Sequence, residues 1–331
     1  GCADIVICQG RTDIFNTTES LIFRGGADGG MTPPARLTTH DATTALIAKT
    51  DDSKNPQVIF INHVTGRVRG DISAYLYYGG TDGFSAERRS ELPGWSAPDA
   101  QCCDFNDDGW ADILISNCAE NAPHLDPGSF LYWGGPDGFK ADRKLVIPTI
   151  RAHGSAVGDF RHSGHLDLAM AGFYNAELLI FKGGTKGFDL NHPQRIILDE
   201  TLRDYAPSRK VDWTNADGKG SEFREPRWLL AADFNNDGWL DLFVSQGCGP
   251  RCLLLWGGPE GFSMKRCSWL AAEGSICAQA ADLTGNGWLD LIVGGHQCMS
   301  KKWKHESCIY VYWGGPDGFR EDRRAQLPVH T

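Results

Sequence analysis

The chain has 331 residues, among them 40 Gly and 16 Pro, and a formal net charge of −10. That length admits two ordinary domains or one large β domain, and the Gly and Pro content fits many short strands joined by tight turns. An acidic chain without a Lys- or Arg-rich run argues against a nucleic-acid partner, and no apolar run approaches the ~20 residues of a membrane helix.

The first segment, GCADIVICQ (1–9), reads as the end of an acidic loop running into a strand. Aligned on a later copy, Gly1 matches Gly109 and Asp4 matches Asp112, so the expectation is that residues upstream of Gly1 are missing from this sequence. A turn motif then recurs along the chain: GGADGG (25–30), GGTDGF (79–84), GGPDGF (134–139), GGTKGF (183–188), GGPEGF (257–262) and GGPDGF (314–319). The first glycines are 54, 55, 49, 74 and 57 residues apart. A period near 50 with turn signals and short strands predicts a propeller or solenoid. Six repeats follow, at about 1–40, 41–94, 95–149, 150–198, 199–271 and 272–331.

The third repeat shows the order most plainly. A strand (AQCC, 100–103) enters an acidic loop and a second strand (ADILIS, 111–116) leaves it. After a variable connection, a third strand (FLYW, 130–133) reaches the Gly-Gly turn and a fourth (RKLVIP, 143–148) closes the unit. Four antiparallel strands per repeat predict one propeller blade, in an all-β chain with six or seven blades in the intact protein. Trp133, Phe139, Trp256, Phe262, Trp313 and Phe319 are expected to pack between neighbouring blades. The fifth repeat begins with a long irregular segment, 199–227, too short for a blade and too long for an ordinary connection.

The loop is DFNDDGWAD (104–112), with a near-copy at 233–241 (DFNNDGWLD) and eroded copies at 282–290 (DLTGNGWLD) and 159–167 (DFRHSGHLD). Oxygen-bearing side chains at positions 1, 3, 5 and 9, with a Gly turn after the third, suit a hard cation that takes several oxygens, which means Ca²⁺. The opening resembles an EF-hand loop, but the last acid comes at position 9 and a strand follows rather than a helix. The expected ligands are Asp104, Asn106, Asp108, the Trp110 carbonyl and Asp112, and likewise Asp233, Asn235, Asp237, the Trp239 carbonyl and Asp241. Asp282, Thr284, Asn286, Trp288 and Asp290 form a weaker set with two carboxylates. In the 159–167 loop Arg161 stands at a ligand position, and its guanidinium is expected to replace the ion and pair with Asp159 and Asp167. The calcium is expected to be structural, since the three loops expected to bind it offer no His for chemistry.

These loops and turns resemble the FG-GAP/VCBS repeat family, found in integrin α-subunit propellers and in many secreted proteins. The resemblance covers nearly the whole chain. It implies one β-propeller, calcium loops on one face of a disk, and ligands on the opposite face. The family is functionally broad, so the resemblance does not supply a function.

Eleven cysteines suggest disulfides that staple loops in an oxidising compartment, with Cys248–Cys252, Cys267–Cys277 and Cys298–Cys308 as the suggestive spacings. The alternative for Cys248 and Cys252 is half of a zinc site, although no second half follows. Cys102 and Cys103 fall on opposite faces of a strand, so at least one is a core residue.

The connections expected on the opposite face carry His63, Arg67, Arg69, His124, Asp126, Arg151, His153, Tyr174, Asn175, His296, Lys301, Lys302, Trp303 and His305. The 199–227 segment adds Arg203, Tyr205, Arg209, Trp213, Arg224 and Arg227. These residue types suit an anionic glycan. The reading is therefore an extracellular or periplasmic, calcium-stabilised module that binds carbohydrate or protein. The alternative is a polysaccharide lyase, with His124, His153, Tyr174, Arg203, Tyr205 and Arg209 as candidates for neutralising a carboxylate and moving protons. No spacing signal joins these residues into one site.

Overall fold

The computed structural model describes residues 3–10, 17–48, 56–64, 70–119, 125–172, 177–198, 225–247, 249–296 and 306–330. The chain divides into two compact units, Gly1–Arg151 and Ala152–Thr331. No helix among the described residues is long and apolar enough to cross a membrane.

The first unit holds three antiparallel sheets. The first contains β1 (Ile5–Ile7), β2 (Thr17–Phe23) and β3 (Ala35–His40). The second contains β4 (Ala42–Ala48), β5 (Gln57–Asn62), β6 (Ala74–Gly80) and β7 (Gly83–Leu92). The third contains β8 (Asp99–Cys103), β9 (Asp112–Ser116), β10 (Ser129–Tyr132) and β11 (Lys144–Ile147). Each sheet is ordered as its strands occur in the chain. The second unit also holds three large sheets. Its first runs β12 (Ala152–Gly158), β13 (Asp167–Gly172), β14 (Glu177–Phe181) and then, past the two-residue pair β15 (Gly183–Gly184) and β16 (Gly187–Phe188), β17 (Gln194–Ile197). Next come β18 (Pro226–Ala232), β19 (Asp241–Gln246), β20 (Arg251–Leu255) and β21 (Cys267–Ala271), and finally β22 (Ser275–Ala281), β23 (Asp290–Gly295), β24 (Glu306–Tyr312) and β25 (Arg324–His330). The expected four antiparallel strands are present in five of these sheets, and the first has three.

Sequence pattern accounts for the layering. The second strand of a sheet reads as a continuous apolar run, as in Ile113, Leu114 and Ile115 of β9, because both its faces are covered; every residue of β5, β9 and β19 is buried. The last strands alternate, as β7 does, because one face meets water. Neighbouring sheets within a unit share their cores. Ile59, Ile61 and Leu76 pack with Ile113, Ile115 and Tyr132, while Ala169, Leu178 and Ile180 pack with Leu242, Val244 and Leu253.

Two further repeated contacts join adjacent sheets. The Phe after the first loop Asp meets the Phe of the next Gly-Gly turn edge to face, Phe160 with Phe262 at 5.2 Å and Phe234 with Phe319 at 5.5 Å. The Tyr two residues before a Gly-Gly pair donates its hydroxyl to a carbonyl in, or just after, the last strand of the preceding sheet. Tyr77 reaches Thr38 at 2.6 Å, Tyr132 reaches Pro93 at 2.8 Å and Tyr312 reaches Ala271 at 2.7 Å.

The cysteine expectation is corrected here. Cys267 and Cys277 are both free thiols, as are Cys252 and Cys308. Register explains this. Cys267 lies opposite Leu255 in β21 and its Sγ lies 3.2 Å from the Met264 carbonyl, whereas Cys277 belongs to the next sheet and its sulfur lies against Gly294. Cys252 is fully buried, with its Sγ 2.8 Å from the Ser275 hydroxyl, and burial pushes its thiol up to about 12. Cys248 and Cys298 lie outside the described residues, and with them any zinc site at Cys248. Cys102 is half-buried and packs on the apolar core of the first unit.

Candidate functional site

Each acidic loop joins the first two strands of its sheet, and all four copies take one backbone shape. Position 4 is left-handed in each, at Asp107 (φ 60), His162 (φ 52), Asn236 (φ 55) and Gly285 (φ 70). Position 6 is a left-handed Gly in each, at Gly109, Gly164, Gly238 and Gly287, with φ between 81 and 88. Asp, Asn and His are the non-Gly residues that tolerate such a φ most readily.

The first and last aspartates build this shape. Asp104 accepts the backbone N–H of Asp108 at 3.1 Å and of Gly109 at 2.7 Å. Asp159, Asp233 and Asp282 accept the same two amides in their own loops. The last aspartate is fully buried in every copy. Asp112 accepts the Phe105 N–H at 2.8 Å with one oxygen and the Gly134 N–H at 2.7 Å with the other. Asp241 does so with Phe234 and Gly257, and Asp290 with Leu283 and Gly314. Asp4 accepts the Gly25 N–H at 3.0 Å, which is the same bond in the first repeat. This carboxylate therefore ties the acidic loop to the Gly-Gly turn, a role that spacing alone did not reveal.

The turn explains its own glycines. A Cβ on Gly134 would lie 2.1 Å from the Ala111 carbonyl, and on Gly183 1.8 Å from the Leu166 carbonyl, so the first glycine permits a close backbone approach. The second glycine lies under a guanidinium nine residues after the first. Arg143 donates to the carbonyls of Trp133, Gly134 and Gly138 at 3.1, 2.6 and 2.8 Å. Arg323 donates to Trp313 and Gly318, and Arg266 to Gly261. Arg88 holds the carbonyls of Tyr78 and Gly83. These arginines also escaped the sequence reading, although the Gly-Gly-to-Arg spacing was visible. In the fourth repeat the equivalent residue is His192, which binds Asp189 instead.

Loops 104–112 and 233–241 differ from the others in charge. In each, the Asn at position 3 donates to the Asp at position 5, and that Asp accepts the N–H of the Trp at position 7. Burial pushes the carboxyls of Asp112 and Asp241 up to about 6, against the amides they accept, and the charges of Asp108 and Asp104, or Asp237 and Asp233, push in the same direction. In the 282–290 loop Asn286 accepts the Trp288 N–H, and Thr284 is exposed. Among the described residues no three His, Cys, Asp or Glu side chains converge as a ready-made metal group. The donor set is nonetheless all hard oxygen, and carboxylate oxygens that accept one N–H keep a further lone pair.

The 159–167 loop resolves the same crowding with a guanidinium. Arg161 grips Asp167 through both oxygens at 2.8 to 3.0 Å and donates to the Gly183 carbonyl at 3.0 Å. The expected pairing with Asp167 is therefore present. Asp159 contacts the Ser163 hydroxyl and the loop amides rather than the guanidinium.

At the other end of the sheets, Asn62 accepts the His40 N–H and donates to the Ser73 carbonyl, and Asn117 does the same with Trp95 and Gly128. Asp126 accepts the amides of Ala119, Gly128 and Arg151 at 3.2, 3.0 and 2.7 Å, so it organises its connection. His63 is buried, with Nδ1 2.8 Å from the Ser96 carbonyl. His153 is 7% exposed and sits within β12 rather than on a loop, and Arg151 beside it is buried as well. His124, Tyr174, Arg203, Tyr205 and Arg209 lie outside the described residues, as do Arg67, Arg69, Asn175, Trp213, Arg224, Lys301, Lys302, Trp303 and His305.

Residues 233–293 match the FG-GAP-like repeat family. No curated protein matches the chain. A proposed 6-phosphogluconolactonase from Bacteroides uniformis has a similar fold, with a TM-score of 0.58 at 11% identity over 99% of this chain and 82% of that one. The V. cholerae biofilm matrix protein Bap1 gives a TM-score of 0.45 at 10% identity, and this chain spans 57% of its length.

Proposed function

We propose, on the premise that this chain carries an FG-GAP-like repeat, that it is a calcium-stabilised β-propeller. Its blades are the successive sheets, and it binds carbohydrate or protein ligands at the sheet ends opposite the acidic loops. One contrast carries the calcium reading. Four loops share one backbone shape. The 159–167 loop holds a guanidinium against its buried Asp167. Loops 104–112 and 233–241 keep carboxylates at positions 1, 5 and 9, with a fourth at Asp107 in the former, and contain no Arg or Lys. A cation of hard character supplies the missing positive charge, held by Asp104, Asn106, Asp108, the Trp110 carbonyl and Asp112, and by the matching set Asp233, Asn235, Asp237, the Trp239 carbonyl and Asp241. Bound there it adds stability by favouring the folded state.

The binding reading is supported by the opposite ends of the sheets. There the connections are long and unlike one another, while their anchors Asn62, Asn117 and Asp126 are fixed by hydrogen bonds. Irregular loops on a rigid scaffold are where recognition sits. An extracellular or periplasmic setting now rests on the calcium loops and the family, because the thiols at Cys252, Cys267, Cys277 and Cys308 are free.

Metal analysis after dialysis against chelator and readdition of Ca²⁺ tests the first part, with at least two ions per chain expected. A glycan array run with and without Ca²⁺ tests the second. Saturable binding without turnover supports the module. Absorbance from unsaturated uronic products would replace it with a lyase.

A further inference from the structure

The row of loops in the second unit is cross-linked by side chains. His162, at position 4 of the 159–167 loop, lies flat on the indole of Trp239, with ring centroids 3.9 Å apart and planes 7° apart. Its Nε2 is 3.0 Å from the Gly238 carbonyl. Trp239 and Gly238 are positions 7 and 6 of the next loop. Asn236, at position 4 of that loop, donates to the Gly287 carbonyl at position 6 of the third loop at 3.0 Å. The third loop has Gly285 at position 4, so it has no side chain with which to continue the chain.

These contacts run from the loop that carries its own positive charge. Arg161 closes the 159–167 loop through Asp167 and also holds the Gly183 carbonyl. Elsewhere a turn arginine such as Arg143 holds the matching carbonyl, at Gly134, but in this repeat that position is His192. One guanidinium thus takes over two duties, that of an ion in the loop and that of the arginine in the turn.

We propose that the 159–167 loop is a metal-independent brace for the 233–241 loop. Arg161 locks the brace with a covalently attached cation, and His162 passes its order to the backbone of Gly238 and Trp239. The Trp239 carbonyl is a candidate ligand, so fixing the Trp239 ring and the preceding Gly238–Trp239 peptide before the ion arrives lowers the ordering cost of binding, as outer partners of a metal site do elsewhere. The proposal rests on the calcium reading of the 233–241 loop.

Calorimetric titration of the whole chain with CaCl₂ tests it, on wild type, His162→Ala, Arg161→Ala and Arg161→Lys. His162→Ala is expected to weaken one class of calcium site by about tenfold, with unchanged stoichiometry, a size typical of lost outer-shell support. Arg161→Ala is expected to weaken the same class and also to lower the melting temperature in chelator. Arg161→Lys restores neither, because an ammonium lacks the two-pronged grip. Should Arg161→Ala fail to fold, His162→Ala carries the test, since that ring is exposed. Wild-type affinity in His162→Ala, with the wild type binding calcium, overturns the brace alone. A wild type that binds no calcium and melts identically with and without it overturns the calcium reading, and the brace with it.

Discussion

Loops 159–167 and 233–241 differ in side chain at positions 3, 4, 5 and 7 but share one backbone frame. Both place a left-handed residue at position 4 and a left-handed Gly at position 6, and both give the first aspartate two amides to accept. Both bury the last aspartate and join it to the first glycine of the turn, Gly183 or Gly257. At positions 3 and 5, however, one has Arg161 and Ser163 and the other Asn235 and Asp237. The shape of the loop is therefore set by backbone amides and two aspartates. The residues at positions 3 and 5 decide only how the charge of those aspartates is balanced.

The largest test of this comparison removes the buried carboxylate from each loop. Asp167→Ala should cost about 3 kcal/mol in urea unfolding, at the low end for breaking a buried pair, because the Arg161 side chain is 36% exposed. That cost should change little between calcium and chelator, only by the small amount that loosening the brace weakens the neighbouring site. Asp241→Ala should cost distinctly more in calcium than in chelator. Equal calcium dependence for the two variants would break the comparison.

Calcium removal comes next. Chelation should lower the stability of the wild type by about 2.7 kcal/mol per site relative to a hundredfold excess over Kd. Asp233→Asn combined with Asp237→Asn should abolish that share for one site. Thermal melts in matched buffers measure both.

Acidity sharpens the same point. In the metal-free protein burial holds Asp112 and Asp241 at about 6, above the ordinary carboxylate value of 3.8. Between those values the folded state binds protons that the unfolded chain has released. Metal-free stability should therefore fall as pH rises through about 6. With excess calcium the trend should reverse, because protons and calcium compete for the same oxygens. Chelated and calcium-loaded melts at pH 5 to 7 that run parallel would count against the metal.

The smallest effect lies in the turns. Arg266→Ala should cost about 1–2 kcal/mol, the loss of charged hydrogen bonds to backbone. His192→Ala, at the corresponding position, should stay within about 0.5 kcal/mol, because Arg161 already holds the Gly183 carbonyl. A double variant of Arg161 and His192 separates the two duties.

What the sequence made legible was local. The Gly-Gly turns and the acidic loops each lie within a dozen residues and recur, so their spacing carried them and, with them, the strands between. Contacts that depend on register across a sheet or between sheets were not legible. Asp112 to Gly134 spans 22 residues, and Tyr132 to Pro93 spans 39. Both were invisible until the strands were paired. The cysteine expectation failed for the same reason, since proximity in sequence put Cys267 and Cys277 in different sheets. His153, expected on a connection, lies within β12 next to Gly154. That glycine in fact lets the Arg227 carbonyl approach, where a Cβ would stand 2.5 Å away.

The double use of the last aspartate separates the architecture of a repeat from the chemistry of its loop. Asp167 and Asp290 keep their bonds to Gly183 and Gly314 although positions 3 and 5 hold quite different residues, so the tie between loop and turn is independent of the chemistry inside the loop. Five repeats keep that carboxylate, while in the second Gln57 stands at its position and the Gly79 N–H goes to the Pro56 carbonyl instead. Positions 3 and 5 can therefore differ between copies without disturbing the tie between loop and turn, and loops as unlike as 104–112 and 159–167 share one backbone shape.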